Sequence, residues 1–261
     1  MSQTNSTLED PLKEALRLIA LADKRGLALR LMGGLAFHAR APGWTSQVDR
    51  ARRDIDLATS SPYRKGVETI LIESGYVADR QYNALYGHKQ LYFVDPRFDR
   101  PVDVLVDRLD MCHTFEFADR LSVDYPTLPL AELLLSKLQV VKINRKDVLD
   151  ALVVLAEHPL ADTDDGGINV PRITALTAND WGWWRTVTGN LTKIRLFVEV
   201  ELRDGELDVG RPLRFDLVDQ VDALRSAIDA APKSTRWKLR SRVGERLAWY
   251  QEPEEVGHGR D

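Results

Sequence analysis

The chain has 261 residues, 44% hydrophobic and 29% charged, with a formal net charge of −4. That length supports a sizeable core in one large or two modest domains. The charge excludes a globally basic nucleic-acid binder, though it leaves a local basic face open. Cys112 is the single cysteine, which excludes an intramolecular disulfide and a cysteine-rich zinc site. The opening residues lack a basic leader ahead of an apolar core, and no apolar run approaches the roughly 20 residues that span a bilayer. A cytoplasmic protein without a membrane segment is expected.

In chain order, "DPLKEALRLIALADKRG" predicts an amphipathic helix, capped by Asp10 and closed by Gly26. "LALRLM" reads as a short apolar strand and "GLAFHARA" as a helix ending before Pro42. "DIDLAT" alternates polar and apolar residues, which is strand behaviour. "SPYRKGVETILIESG" predicts a helix with Pro62 early and Gly75 as terminator. "KQLYFV" and "PVDVLVD" predict two antiparallel strands joined by "DPRFDR". Beyond residue 126 the character changes to helices. "PLAELLLSKLQVVKI" and "KDVLDALVVLAEH" are joined by "NR"; an aromatic-rich helical stretch, two more helices and a frayed "EPEEVGHGRD" follow. The expected fold class is α+β: a mixed sheet flanked by helices over residues 1–126, then a helical C-terminal domain over 127–261.

Alternation places Asp54 and Asp56 on one strand face, about 7 Å apart, with Ile55 and Leu57 on the other. Two readings stand: a solvent-facing strand edge, or a pair of like charges held for a divalent cation such as Mg²⁺. "PVDVLVD" repeats the logic. Val102, Val104 and Val106 share a core-like face, while Asp103 lies mid-strand on the other; Asp107, at the strand end, reads as a solvated or capping residue. Gly33 and Gly34 sit between strand and helix. Either the tight turn demands glycine, or backbone amides at the helix start receive phosphate. Neither a dinucleotide fingerprint nor a P-loop is present.

Taken together, strand, Gly33-Gly34, helix, Asp54-Ile-Asp56 and the Asp103 strand resemble the nucleotidyltransferase superfamily typified by DNA polymerase beta, over residues 29 to 107. The resemblance implies that Gly33 and Gly34 contact a nucleoside triphosphate. It also implies that Asp54, Asp56 and Asp103 ligate Mg²⁺ or Mn²⁺ as the catalytic and metal residues. "AELLLSKLQVVKINRKDVLDALVVL" further resembles the distal motifs of AbiEii-type nucleotidyltransferases, many of which are toxins paired with antitoxins. Lys137 would then neutralise triphosphate charge, and Asp147 would orient Lys137 or act as a base; Arg145, Lys146 and Asp150 belong to the same motif. The chain departs from those relatives at "RARRDID", where Arg52 and Arg53 stand in place of Ser or Thr. These arginines either solvate the loop or bind phosphates, and Arg53 is taken as a nucleotide-binding candidate.

The implied activity is transfer of a nucleoside monophosphate from an NTP to an acceptor hydroxyl. Three roles are open: a toxin-like enzyme acting on tRNA or protein, with a cognate antitoxin; a small-molecule (antibiotic) adenylyltransferase; or a catalytically silent nucleotide-binding regulator. Two further features have double readings. Trp181, Trp183 and Trp184 beside Arg185 either pack helices or stack a base. "KSTRWKLRSRVGER", with six basic residues, is either a solvated face or an RNA-phosphate contact.

Overall fold

The computed structural model describes residues 6–42, 54–202 and 213–252. The first helix, α1 (Pro11–Lys24), starts where the Asp10 side chain accepts from Lys13 N, with proline in the first turn. β1 (Leu29–Met32), α2 (Gly33–Arg40), β2 (Ile55–Thr59) and α3 (Arg64–Glu73) follow. Pro62 lies just ahead of α3 rather than in its first turn, because the Tyr63 and Arg64 amides close a turn on the Ser60 carbonyl. Next come β3 (Val77–Ala78), α4 (Arg80–Tyr86), β4 (Gln90–Asp95) and β5 (Arg100–Val106). A short hairpin of β6 (Arg108–Asp110) and β7 (Thr114–Glu116) ends the strand-rich half.

β1 to β5 form one mixed sheet in the order β1-β2-β5-β4-β3. β2 and β5 are parallel at its centre, and the other neighbours are antiparallel. One face is apolar: Leu31, Ile55, Leu57, Leu91, Phe93, Val102 and Val104 are buried there. α1 packs on β1 and β2, and α3 packs on α1. Buried charges at this end are matched. Glu14 accepts from Arg17, Tyr76 Oη and the Leu8 amide, while Arg100 meets Asp95 at 2.7 Å. Satisfied in this way, each carboxylate avoids the cost of an unpaired buried charge.

The helical half comprises α5 (Leu130–Leu138), α6 (Arg145–Glu157), a two-stranded pair of β8 (Leu160–Ala161) and β9 (Ile168–Asn169), then α7 (Val170–Asn179), α8 (Trp181–Phe197), α9 (Leu217–Ala230) and α10 (Thr235–Val243). α8 runs into a π-helical turn over Val198–Leu202. α5 stops at Leu138, six residues short of the expected join at "NR". Asn190 of α8 donates to the Leu138 and Val140 carbonyls, capturing the helix end. Asn144 then caps α6 by accepting from Asp147 N. The frayed tail expected from Pro253 onward lies outside the described residues.

A buried cluster runs from Ala15 to Ile228, so α5 and α6 pack directly against α2. This sets residues of the helical half over the sheet's second face. No described helix is long and apolar enough to cross a membrane.

Candidate functional site

The second face of the sheet carries the paired carboxylates. The parallel register sets Asp56 opposite Asp103, with Ile55 opposite Val102 behind them. Two carboxylates thus project side by side from strands about 4.8 Å apart. Asp54 is exposed and immediately precedes β2, at the entrance to the same face.

The antiparallel partner β1 sets Met32 opposite Asp56, so the chain turns into α2 right beside that carboxylate. Gly33 occupies this turn with φ +61°, a left-handed conformation that side chains rarely adopt. A Cβ built there would lie 1.8 Å from Asp56 Oδ2 and 2.5 Å from its Cγ. Gly33 is required twice, by its backbone and by the carboxylate it accommodates. Gly34 follows as the second residue of α2. Gly33→Ala should therefore cost roughly 1–3 kcal/mol of stability and displace the Asp56 carboxylate. Urea unfolding together with metal titration checks this; wild-type behaviour in both would show that the glycine is dispensable.

Burial is the main influence on Asp56, and the neighbouring charge of Asp103 adds to it. The nearby Lys137 ammonium opposes them, and Asp54 and Asp150 push the other way. The outcome is a carboxyl group raised from 3.8 to about 7. Among the described residues the acidic groups therefore outweigh the Lys137 cation, and the deficit is what a bound cation would relieve.

Asp103 is not left to find its own orientation: Gln90 Nε2 of β4 donates to its Oδ1 at 2.5 Å. Lys137 of α5 reaches Asp147 Oδ1 at 2.9 Å and Asp150 Oδ2 at 3.1 Å, both from α6. Its ammonium also lies 5.4 Å from the centre of the Phe37 ring on α2. Burial would lower the Lys137 pKa, but Asp150 and Asp147 outweigh it and hold the group above its ordinary value. The Lys137–Asp147–Asp150 cluster is thus a fixed, charged unit rather than a mobile lysine.

The fold brings together Gly33, Asp54, Asp56, Asp103, Lys137 and Asp147 from sequence positions more than a hundred residues apart. Arg52 and Arg53 lie outside the described residues. Asp107 has another task. It takes φ +65° and accepts from the Ser61 amide and hydroxyl, tying the end of β5 to the turn before α3. The sequence placed Asp150 in the motif with Asp147 without giving it a separate task, and did not single out Gln90. Three residues beyond Asp147, Asp150 falls on the same helix face. Gln90 depends on the β4–β5 register, which residue spacing does not specify.

Among the described residues, no three His, Cys, Asp or Glu side chains gather into a ready-made metal cage. The donor set nevertheless suits Mg²⁺, which is commonly held by one or two carboxylates together with substrate phosphates and water. The Asp56–Asp103 pair offers that minimum, and Gly33 leaves the space its carboxylates need.

No family model and no curated protein matches this chain. Solved structures that it is similar to are nucleotidyltransferases. One is the crystal structure of ANT(2")-Ia in complex with adenylyl-2"-tobramycin: 17% identity, 54% of this chain and 86% of that one, TM-score 0.38. The solution structure of ANT(2'')-Ia, an antibiotic-resistance factor, is 13% identical over 75% of this chain and 96% of that one, TM-score 0.38. An antigenic nucleotidyltransferase-like protein from Paracoccidioides brasiliensis is 16% identical over 88% and 97%, TM-score 0.41. Superpositions this loose carry no activity from one protein to another; the chemistry has to come from the side chains described above.

Proposed function

We propose that this chain is a divalent-metal-dependent nucleotidyltransferase that moves a nucleoside monophosphate from an NTP to an acceptor hydroxyl. The observation that carries it is the in-register Asp56–Asp103 pair, with Asp56 seated against a glycine that has no room for a side chain. Residues 1–126 form the catalytic part in this view, and 127–261 the helical part that closes over it and meets the acceptor.

Asp54, Asp56 and Asp103 would hold Mg²⁺ or Mn²⁺, which supplies neutralising charge to the triphosphate and the leaving pyrophosphate. Gly33 and Gly34 open the start of α2 toward the phosphates. Asp103, fixed by Gln90, positions the acceptor hydroxyl and takes up its proton. The acceptor oxygen bonds to the α-phosphorus as the bond to the bridging oxygen breaks, and pyrophosphate leaves. Lys137, held by Asp147 and Asp150, faces the phosphate side with its charge fixed in place.

Incubation with Mg²⁺ and each labelled NTP, against total RNA, lysate protein and hydroxylated small molecules, should give label transfer that EDTA abolishes. Asp54→Ala/Asp56→Ala should transfer nothing; label transfer persisting in it would sink the metal site. Growth arrest relieved by Asp56→Ala would mark a toxin-like enzyme. Antibiotic resistance on expression would mark a small-molecule adenylyltransferase, and absence of Mg²⁺ and NTP binding a silent relative.

A further inference from the structure

The helix α10 is built unlike the others. None of its side chains is buried, and Arg236, Lys238 and Arg242 are exposed along it. From Lys233 to Arg246 there are six basic residues against Glu245 alone, in a chain whose net charge is −4. Among the described residues, Lys238, Arg242 and Arg246 form no ion pair. Trp237, against the Trp184 ring at 5.3 Å, and Arg240 hold the helix to its neighbours; exposed ion pairs contribute little to stability, and the remaining like charge on its outer face adds little to folding. The concentration suits a polyanion instead.

A cleft of about 680 Å³ opens beside α10, lined by Arg236 and Arg240 together with Trp181, Trp183, Trp249 and Tyr250. Trp181 and Trp183 are buried among the helices, while Trp249 and Tyr250 are half-buried in the cleft wall. The Arg240 guanidinium lies 4.9 Å from the Trp181 ring centre. Arg236 also approaches Asp180 at 3.7 Å, so the rim is not purely cationic. Arginines over aromatic rings, beside exposed positive charge, form the usual platform for unpaired bases and their phosphates.

This cleft continues toward the carboxylates. Thr114 and Gln251 line both it and a second cleft of about 550 Å³. The second cleft is walled by Tyr82, Tyr86, Lys89, Leu105 and Arg108, and by Gln90, which is bonded to Asp103. Lys89 and Arg108 stand there against Asp110 and Glu252, so the cleft has no acidic excess to attract a polycation. The two clefts form a track from α10 to Gln90, the hydrogen-bond partner of Asp103.

The geometry points to a single-stranded nucleic acid as the ligand of this track: phosphates on α10, bases against the Trp249–Tyr250 wall, and the terminal hydroxyl running toward Asp103. That the bound strand is the acceptor rests on nucleotidyl transfer; the binding surface itself does not.

The test uses the full chain and fluorescein-labelled single strands of roughly twelve nucleotides, as RNA and as DNA of one sequence. Anisotropy is followed between 50 and 200 mM salt. Wild type and Asp56→Asn should bind alike, so strand binding without label transfer would fault the catalytic reading and leave this one standing. Arg236→Ala/Lys238→Ala/Arg242→Ala should weaken binding on the order of 10-fold and flatten the log–log salt slope by about 2, at roughly 0.7 per lost contact. Tyr250→Leu should weaken binding several-fold with the slope unchanged. The RNA and DNA arms decide which strand is preferred, and preferential binding of either supports the track. Three results overturn it: no strand binding by wild type at 50 mM salt, undiminished binding by the triple variant, or binding that inorganic polyphosphate displaces equally well and Tyr250→Leu leaves unchanged. Thermal unfolding of each variant, matched to wild type, separates these outcomes from misfolding.

Discussion

Asp56→Asn should make the protein more stable while abolishing the proposed nucleotidyl transfer. The carboxyl of Asp56 is raised from 3.8 to about 7, by burial first and by Asp103 second. Between pH 4 and 7 the folded chain therefore keeps a proton there that the unfolded chain releases. Stability falls as pH rises through that window, and the whole penalty is present above pH 7. About 1.4 kcal/mol per pH unit sets an upper bound of roughly 4 kcal/mol. At pH 8 the asparagine variant, which carries no charge, should gain about 1–4 kcal/mol, or roughly 2–4 °C per kcal/mol in Tm. At pH 4 it should match wild type.

Metal should reverse the difference. Mg²⁺ binding to wild type should release up to one proton near pH 6.5 and almost none above pH 8, and should raise the wild-type Tm by mass action. Asp56→Asn should show neither effect. An asparagine variant no more stable than wild type at pH 8 would mean that the carboxylate pair is not strained without a cation. A strained functional group of this kind is a familiar exchange of stability for activity.

The second large effect concerns Lys137. Asp150 is 1% exposed and Lys137 14%, so breaking their contact strands a charge in a poorly solvated place. Lys137→Met should cost about 3–5 kcal/mol in urea unfolding, and Asp150→Ala less, because Lys137 keeps its pair with Asp147. The double variant Lys137→Met/Asp150→Leu should recover part of that, because the only charge of the cluster it leaves is Asp147, at 15% exposure. It should still transfer no label. Additive losses in the double variant would show that the two residues act independently, and would remove the reason to treat Lys137, Asp147 and Asp150 as one unit. Asp147 is more exposed than Asp150, at 15%, and its loss should cost less.

The sequence by itself determined the elements that surround the site and the residue types in it. Period-two alternation in "DIDLAT" and "PVDVLVD" marked the aspartate faces, because a strand with one buried side must sort its residues that way. The Gly33-Gly34 pair announced a turn between β1 and α2. Helix ends were legible where a side chain caps its own backbone, as at Asp10, and less so where the partner is distant. Asn190 ends α5 from fifty residues away, and that could not be read from "LQVVKI".

Only the tertiary structure decided how these residues are placed relative to one another. A strand's own pattern says which face Asp56 and Asp103 occupy but not that β2 and β5 are neighbours in register, since pairing between distant strands leaves no local mark. The glycine turn looked like a phosphate cradle, and the fold shows that its missing Cβ is first needed by Asp56. The basic stretch near residue 240 was indistinguishable from a solvated face until its helix was seen to leave Arg236, Lys238 and Arg242 exposed beside an aromatic cleft. In each case the deciding quantity is a distance between residues far apart in the chain, which composition and spacing do not encode.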